Sequence, residues 1–472
     1  MKTHRLTRHG LGTLCAVALT AGCAGDAAGP SSPVAPTVLS SSVASNPHNV
    51  ISAIVSASVR DADSVAVRFR VIDGGSGSDS VTPAVIAEAS EDSVIVPVLG
   101  LLPSTRYSLA AVAYGNGSAS TGQPLELTTQ ALPADVPRYT AGGSSPSPGF
   151  VVFAFGVYGL VIDNTGRVVW YRRFPEGIGL SFAPQPNGRY TARLVTPLPN
   201  DIESWIEIDP LGRVARTLGC TGRLQPRFHD LIVEQNGDYW IMCDEVRTMD
   251  LSDVGGVGNA IVTGTAVQHI ADDGLPLFHW SPFDHFAITD VDLRERTDRI
   301  VNWTHGNSLD IDTDGNLLVS FRNLNEITKI DVPSGRVLWR LGGLRNQFTI
   351  VDSPMPAFAQ QHSVRTVGRG ALVLLDNVGN PTESEAERYE LDDRAMTARL
   401  VRAYAAVPRV VTQIGGSTQP LPGGRTLVSF GTAGRVEEYD ATGNVVWRIQ
   451  GNAGYVFRAV RIQSLCSPVP TR

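Results

Sequence analysis

Residues 303–323 read WTHGNSLDIDTDGNLLVSFRN. Two runs of alternating apolar residues flank Asp314-Gly315, a pair that is favoured in tight hairpin turns. The stretch therefore predicts an antiparallel β-hairpin whose second strand returns beside its first. His305 opens the first strand and Arg322 ends the second, so we expect their side chains at one level, on neighbouring strands.

The same hairpin pattern recurs after about residue 133, where it alternates with a glycine, a spacer, an apolar pair and often a tryptophan. Copies of this second element are GRVVW (166–170), GRVAR (212–216), GLPLFHW (274–280), GRVLW (335–339) and GNVVW (443–447), with LDDRAMTARLVRAY (391–404) between the last two. Self-similarity at roughly 50–70 residues is typical of propellers. Six copies predict an all-β domain at 133–472, a six-bladed β-propeller, with tryptophans packed between blades.

Composition agrees with short strands joined by turns. The chain has 472 residues, enough for two or three domains, and contains 47 glycines and 30 prolines. Charged residues make up 18% and the formal net charge is −7. This mild acidity argues against a nucleic-acid-binding protein, which would carry a basic stripe.

The N-terminus predicts export. Residues 1–23 combine a basic start, an apolar run too short to span a bilayer, and small residues before Cys23. The segment resembles a signal peptide with a lipobox, so we expect lipidation at Cys23; ordinary cleavage nearby is the alternative. The mature protein is then periplasmic or on the cell surface. Residues 24–36, rich in proline and small residues, are expected to form a flexible linker.

A first domain is predicted over residues 37–132. Its LLPSTRYSL segment resembles the corner of fibronectin type III modules, with Leu101, Pro103, Thr105 and Tyr107 in the matching places. We therefore expect a small fibronectin III-like β-sandwich. It carries no chemical constellation, and a spacer or adhesive role is the expectation.

Three cysteines remain beyond the N-terminal segment. Cys220 and Cys243 could pair in an oxidising compartment, which would leave Cys466 single. No cysteine spacing of the zinc type is present.

Three histidines share one phase of the repeat, each opening an inner strand eight to ten residues before the glycine of its turn. They are His229, His305 and His362, with turns at Gly237, Gly315 and Gly370. Inner strands of a propeller line the axis and start on one face, so these rings should converge at one mouth of the channel. The other four histidines beyond residues 1–23, His48, His269, His279 and His285, lack this phase and are expected to be surface or packing residues.

Reflecting the two other hairpins about their turns places a carboxylate beside each remaining ring. Asp244 is expected near His229, and Asp376 near His362. Carboxylates commonly fix the tautomer of an imidazole and raise its basicity.

Three imidazoles and a guanidinium around one point suit a tetrahedral oxyanion, because arginine offers a planar fork to two oxygens and histidine N–H groups bind the others. A neutral imidazole can also act as a nucleophile. Three histidines could instead hold Zn²⁺, although Arg322 would repel a cation. The remaining alternative is three satisfied core histidines.

Several motifs resemble those of the bacterial arylsulfate sulfotransferases, which are exported six-bladed propeller enzymes. They are FHDLIV, NWTHGNSLDID with GNLLVSFRN, SGRVLWRLGG, QQHSV with LLDN, and SEAERYELD. The resemblance covers 133–472 and is strongest over 228–392. SEAERYELD departs from the family, which usually has arginine directly after the serine; here Glu385 takes that place and the arginine follows at Arg388.

The resemblance implies transfer of a sulfuryl group from a phenolic sulfate ester to a phenolic acceptor, by a ping-pong cycle through a sulfohistidine. It implies no nucleotide donor, cofactor or metal. Carried over by motif, His362 is the nucleophile, and His229, His305 and Arg322 bind the sulfate oxygens. Two alternatives stay open: a non-catalytic cell-surface propeller that binds a sulfated or phosphorylated ligand, and a metal hydrolase.

Overall fold

The computed structural model describes residues 34–73, 79–88, 93–174, 178–195 and 204–471. The predicted signal peptide with Cys23, and residues 24–33 of the predicted linker, lie outside this range. The helices of the described residues are short 3-10 turns, at Ser252–Val254, Pro282–Asp284, Ile288–Asp290, Leu293–Arg296, Pro422–Gly424 and Gly431–Ala433. Within the same residues, no helix has the length and apolarity needed to cross a bilayer. The protein is all-β, as predicted.

The N-terminal part is a two-sheet sandwich. Its strands are β1 (Thr37–Ser45), β2 (Ala53–Arg60), β3 (Ser64–Val71), β4 (Ser80–Val81), β5 (Val85–Ile86), β6 (Val94–Val98), β7 (Arg106–Gly115), β8 (Ser118–Thr121) and β9 (Leu125–Thr128). Strands β1, β2 and β6 form one sheet and the other six form the second. Tyr107 is buried, and its hydroxyl accepts the backbone N–H of Leu102 at 2.9 Å, which fixes the corner expected from LLPSTRYSL. The fibronectin likeness itself stays a prediction.

The C-terminal part contains the remaining strands. They are β10 (Ala141–Gly142), β11 (Phe150–Phe155), β12 (Tyr158–Ile162), β13 (Val168–Arg173), β14 (Ile178–Pro184), β15 (Tyr190–Val195), β16 (Trp205–Ile208), β17 (Val214–Leu218), β18 (Gln225–Val233), β19 (Tyr239–Met249), β20 (Ala260–Ile270), β21 (Pro276–Trp280), β22 (Ile300–Asn302), β23 (Gly306–Ile311), β24 (Leu317–Phe321), β25 (Glu326–Ile330), β26 (Val337–Gly342), β27 (Thr349–Val351), β28 (His362–Thr366), β29 (Ala371–Asp376), β30 (Glu385–Asp392), β31 (Thr397–Ala405), β32 (Ser417–Leu421), β33 (Arg425–Ser429), β34 (Val436–Tyr439), β35 (Val445–Ile449) and β36 (Ala459–Ile462).

These strands form six sheets. From the innermost strand outward they run β36-β11-β12-β13, β14 to β17, β18 to β21, β23 to β26, β28 to β31, and β32 to β35; β22, β27 and β10 add to the third, fifth and sixth sheets. We call them blades 1 to 6 in this order. Each innermost strand contacts that of the next blade, and β32 contacts β36, so the six close into a ring around a channel.

The two ends of the propeller close the ring. The C-terminal strand β36 pairs with β11, with Ile462 opposite Phe150, and so supplies the inner strand of blade 1. Strand β10, near the start of the propeller, pairs with β35, with Ala141 opposite Ile449, and extends blade 6. Each closing blade therefore joins chain from both ends, which ties residues about 300 apart in sequence.

The repeated tryptophans lie between blades, as predicted. The indole N–H of Trp170 in blade 1 donates to Pro210 O at 2.7 Å, in a turn of blade 2. Trp280 likewise donates to Gly335 O at 3.1 Å, and Trp447 to Asn164 O at 2.9 Å. Each ring is buried, and its indole N–H donates to a carbonyl oxygen in the outer turn of the following blade. The repeated tryptophan therefore packs between neighbouring blades and fixes their relative position.

The cysteine pairing expected from the sequence is present. Cys220 and Cys243 form a disulfide, and Cys466 is the free thiol among the described residues. The disulfide ties the segment before β18 to strand β19 within blade 3.

Candidate active site

Three inner strands and one hairpin partner bring the predicted residues to one mouth of the channel. His362 begins β28, His305 directly precedes β23, and His229 lies within β18 at a register shift. Arg322 follows the last residue of β24. His229 and His362 are almost completely buried, at 3% and 2% exposure, whereas the His305 and Arg322 side chains are partly exposed toward the mouth.

The rings meet as the shared repeat phase predicted. The Nε2 atoms of His229 and His305 are 3.3 Å apart. The ring centroid of His229 lies 4.9 Å from that of His305 and 6.5 Å from that of His362. Residues separated by as many as 133 positions therefore form one cluster about the size of a small anion.

The hairpin at Asp314-Gly315 places Arg322 as expected. Its backbone N–H donates to His305 O at 3.0 Å, so the two residues stand at one level. Nη2 of Arg322 donates to Gln360 Oε1 at 2.5 Å and Nη1 to Asn323 Oδ1 at 2.9 Å. Both acceptors are neutral amides. They orient the guanidinium and leave its charge free to act on an anion.

Hydrogen bonds fix the tautomer of His362. Its Nδ1 lies 2.8 Å from Asn377 Oδ1 and 3.1 Å from Gln360 O. The amide nitrogen of Asn377 donates to Thr412 O and Gly415 O, so its oxygen can only accept. Nδ1 of His362 is therefore the protonated nitrogen, and Nε2 carries the lone pair.

His229 has the opposite arrangement. Arg227 Nε donates to His229 Nδ1 at 3.2 Å, which requires the lone pair on Nδ1 and the proton on Nε2. The same guanidinium binds Gly306 O at 2.9 Å and forms an ion pair with Asp244. Asp244 was expected beside His229; it reaches that ring only through Arg227. The register shift in β18 between Pro226 and Leu231 moves it there.

The expectation for Asp376 is wrong by one residue. Its carboxylate accepts the backbone N–H groups of Ala359 at 2.9 Å and Gly379 at 2.8 Å, and so braces the loop rather than the ring. Asn377 contacts His362 in its place. His362 lies opposite Leu375, and the pairing then shifts before Arg365. This irregularity turns the residue after β29 toward the ring.

Burial keeps the three imidazoles neutral. Burial, opposed by the hydrogen bond to Asn377 and reinforced by the charge of Arg322, lowers the pKa of His362 to about 4. Burial and then the charge of Arg227 hold the pKa of His229 and of His305 well below the ordinary value. The cluster therefore combines neutral rings with fixed cationic charge, which attracts an anion and leaves His362 Nε2 nucleophilic.

A buried ion cluster forms the floor beneath His229. Asp230 pairs with Arg458 and, at 3.0 Å, with Arg365. Arg458 also donates to His229 O at 3.1 Å, so the floor is bonded directly to the site. This arginine comes from the segment just before β36, far along the chain.

Aromatic rings stand next to the imidazoles. Phe228 stacks on His229 with ring centroids 3.9 Å apart. The centroid of Phe457 lies 5.9 Å from that of His229 and 6.4 Å from that of His362. Apolar rings beside an anion site suit a substrate that joins an aromatic body to a charged group.

Sequence reasoning missed Arg227, Asn377 and Arg458. Arg227 lies two positions before His229, the spacing that puts side chains on one face of a strand, so alternation could have signalled it. Asn377 directly follows the aspartate that was chosen. Nothing near Arg458 in the sequence marks it, because the closing strand has no histidine in the shared phase.

The other histidines pack as expected, where the structure shows their contacts. His269 stacks on Trp240 and His285 on Trp280, with both ring pairs nearly parallel. Among the described residues, the group of three metal-type ligands is Glu234, Asp238 and His269. It lies at the far turn of β18 and β19, away from the cluster. At the mouth, Arg227, Arg322 and Arg458 would repel a metal cation.

Comparison with known proteins gives the family of this region. Residues 226–452, which contain all four predicted site residues, match the family model of arylsulfotransferase (ASST). This region of the chain is therefore similar to the arylsulfotransferases, and the resemblance drawn from the motifs is confirmed over these residues. The match supports aryl sulfotransferase activity on aryl substrates in general.

No curated protein matches the chain. Similar solved structures include a protein of unknown function from Bacteroides caccae, with 14% identity, 66% of this chain and 98% of that chain covered, and a TM-score of 0.43. A streptogramin B lyase has 13% identity, coverages of 67% and 85%, and a TM-score of 0.39. The virginiamycin B lyase of Staphylococcus aureus has 13% identity, with 67% of this chain and 90% of that chain covered and a TM-score of 0.37. The six closed sheets, not these likenesses, define the propeller.

Proposed function

We propose that this protein moves a sulfuryl group from a phenolic sulfate ester to a phenolic acceptor by a ping-pong cycle through a sulfohistidine at His362. The observation that carries the proposal is the pair of opposite tautomers. His362 carries a bare Nε2, whereas His229, in the same cluster, carries its proton on Nε2, 3.3 Å from Nε2 of His305. One ring is thus set to attack and its neighbour to bind an oxygen.

Binding of the donor uses the cationic mouth. Arg322 offers two N–H groups to the sulfonate oxygens. The Nε2 atoms of His229 and His305 lie 3.3 Å apart and share one proton between them while both rings are neutral. Once one ring is protonated, both Nε2–H groups can bind the remaining oxygen and the bridging oxygen of the ester. The aryl body then lies against Phe457 and Phe228. These fixed donors match charge that spreads over the oxygens during transfer, so they stabilise the transition state without reorganising.

The first half-reaction forms one bond and breaks one. Nε2 of His362 forms an N–S bond as the S–O bond to the phenolate breaks, and the electron pair of that bond stays on the phenolate oxygen. The ring keeps the proton on Nδ1, where it is hydrogen-bonded to Asn377 Oδ1, so the product is an N-sulfoimidazolium. Because Asn377 cannot remove that proton, the imidazole remains a good leaving group for the second half-reaction.

The departing phenolate takes its proton from a neighbouring imidazole. Burial first, and then the arginine charges, lower the pKa of His229 and of His305. The negative charge of the bound sulfate ester acts against both causes, because it stabilises an imidazolium beside it, and one ring takes up a proton from water when the donor binds. In the second half-reaction the same ring removes the proton of the acceptor phenol, whose oxygen attacks sulfur and frees His362. The cycle needs no nucleotide.

The deciding experiment is a search for the sulfo-enzyme. Wild-type protein incubated with p-nitrophenyl sulfate and no acceptor should gain one sulfuryl group on His362, detected by intact mass and peptide mapping. His362→Asn should show no adduct and no p-nitrophenol release when phenol is added, with an unchanged melting temperature. A full adduct on that variant refutes the nucleophile assignment. Sulfate-ester binding without any turnover of the wild type would favour a non-catalytic binding propeller.

We also propose export, with lipidation at Cys23. The disulfide between Cys220 and Cys243 supports an oxidising compartment. Expression with labelled palmitate in a bacterium that processes lipoproteins should label the wild type and not Cys23→Ser. Equal labelling of both would refute the anchor.

A further inference from the structure

A second cavity lies in the propeller, at the other side of the ion floor. Its volume is about 520 Å³, within the range of small-molecule sites. Its lining includes Asp230, Arg365 and Arg458, the residues of the floor, and continues along the inner strands away from the mouth. As far as the described residues show, its lining includes none of the three site histidines and not Arg322. It is therefore separate from the sulfuryl-transfer site.

The cavity extends between blades 5 and 6, where Arg388 lines it. Arg365, Val373 and Arg388 stand opposite one another across β28, β29 and β30, so their side chains share one face of blade 5. Blade 6 covers that face with Leu421 and neighbouring prolines of the segment 417–424. Most of the exposed wall is apolar. Its charged groups are three arginines and two aspartates, and Asp230 is already paired with Arg365 and Arg458, which leaves Arg388 as the arginine available to an anion.

Within the part of the chain that the structure describes, the guanidinium of Arg388 makes no hydrogen bond or ion pair, and its Nε is buried without an acceptor. By contrast Arg365, on the same face, pairs with Asp230 at 3.0 Å. A partly buried guanidinium without an acceptor is costly, and a carboxylate, sulfonate or phosphate would satisfy two of its donors at once.

We propose that this cavity binds a small organic anion, with its apolar body between blades 5 and 6 and its acidic group on Arg388. The unpartnered guanidinium supplies the charge complement, and the apolar wall supplies the surface for the body. The site is independent of the sulfuryl-transfer chemistry at the opposite mouth. It also gives a role to the arginine that SEAERYELD places three residues later than the family motif does.

The probe for this site is 1-anilinonaphthalene-8-sulfonate, which carries one sulfonate on an apolar aromatic body and fluoresces when shielded from water. The folded full chain should bind it saturably. N-phenyl-1-naphthylamine, the same body without the sulfonate, should bind about tenfold or more weakly, since a charged hydrogen-bonded pair is lost. Equal affinity for the two probes would overturn the role of Arg388.

Variants assign the site. Arg388→Met should weaken binding of the sulfonate probe about tenfold or more, and Arg388→Lys should weaken it less, because the charge remains. The matched control is Arg402→Met: Arg402 stands directly opposite Arg388 on β31, is exposed, donates to Thr442 O and does not line the cavity. The affinity of Arg402→Met for the sulfonate probe should equal that of the wild type. Equal loss in both variants, or none in Arg388→Met, overturns the proposal.

A further control separates this site from the catalytic mouth. Arg322→Ala, which removes the guanidinium of the mouth, should bind the sulfonate probe with wild-type affinity, because Arg322 does not line the cavity. A loss of affinity in Arg322→Ala equal to that expected for Arg388→Met would place the probe at the catalytic mouth and contradict a second site. Because the proposal does not use the sulfohistidine, absence of a sulfo-adduct on the wild type would leave the probe results standing, and the two failures remain distinguishable.

Discussion

Asn377 holds His362 in the tautomer that leaves Nε2 free. Its Oδ1 lies 2.8 Å from His362 Nδ1, and its amide nitrogen is committed to Thr412 O at 2.9 Å and Gly415 O at 3.0 Å. Asn377 is completely buried, so water cannot replace it as the acceptor. The amide therefore acts as a fixed support whose orientation is determined by the 412–415 loop.

Asn377→Ala should reduce the rate of sulfo-enzyme formation about 10- to 100-fold, the usual cost of removing such a support. The ring keeps only the longer contact to Gln360 O and populates the wrong tautomer. KM for the donor should change little, because Arg322 and His229 are untouched. Stopped-flow release of p-nitrophenol, with intact mass to count adducts, measures both quantities.

The matched control is Asn380→Ala, in the same loop. Asn380 contacts Glu385 and touches none of the site rings. The rate of sulfo-enzyme formation in Asn380→Ala should equal that of the wild type. If both variants lose the same fraction of activity, the effect belongs to the loop and not to the ring.

Arg322→Ala should lower kcat/KM for the donor about 30-fold or more, since charged hydrogen bonds contribute about 2 kcal/mol. The kcat/KM of Arg322→Lys should lie between those of the wild type and Arg322→Ala, because lysine keeps the charge and loses the planar fork. Steady-state release of p-nitrophenol measures this. Arg399→Ala serves as control, because Arg399 pairs with Asp352 on the exposed outer edge of blade 5. Wild-type kcat/KM in Arg322→Ala would exclude the clamp.

The sequence predicted those parts of the site that follow from strand alternation and turn position. One Asp-Gly turn determines that Arg322 returns to the level of His305, and the hydrogen bond between their backbones agrees. A shared distance to the turn glycine placed three histidines at one mouth. Both inferences need only regular antiparallel pairing.

Irregular pairing and long-range closure set the limit of that reasoning. Ser363, directly after His362, has φ of +58°, and the register of β28 shifts there, so counting back from the turn gives Asp376 where the structure has Asn377. Arg458 comes from the segment that closes the ring. Arg458 comes close to His229 because the C-terminal strand pairs with blade 1. No local sequence pattern predicts which blade that strand joins.

Acid should destabilise the fold through the buried rings. The pKa of His362 is about 4 in the folded state, below its value in an unfolded chain, so between about pH 6.5 and 4 the unfolded state binds a proton that the folded state does not. The free energy of unfolding therefore falls as pH falls through this window. In His362→Asn, the loss of unfolding free energy between pH 6.5 and 4.5 should be smaller than in the wild type by about 1 to 3 kcal/mol. Urea denaturation at pH 6.5 and 4.5 measures it, and parallel pH dependences would contradict the prediction.

Glu387 in blade 5 should give the opposite dependence. It is buried, its only described polar partner is Tyr389 Oη at 2.8 Å, and burial together with the charge of Asp376 raises its pKa to about 8. The unfolded state loses this proton near pH 4.5 and the folded state near 8, so the contribution to stability falls as pH rises between them. Glu387→Gln should therefore raise the free energy of unfolding by about 2 kcal/mol or more at pH 8.5 and by much less at pH 5.

Blade 6 supplies the matched control for this prediction. Glu437 accepts from Tyr439 Oη at 2.6 Å in the same strand pattern, but it also pairs with Arg435 and, at 3.7 Å, with Arg448. Glu437→Gln leaves two guanidinium groups without their anion and should lower the free energy of unfolding at both pH values. The same glutamate-to-glutamine change is thus expected to stabilise blade 5 and destabilise blade 6. Changes of the same sign in the two blades at pH 8.5 would show that arginine pairing does not govern these carboxylates.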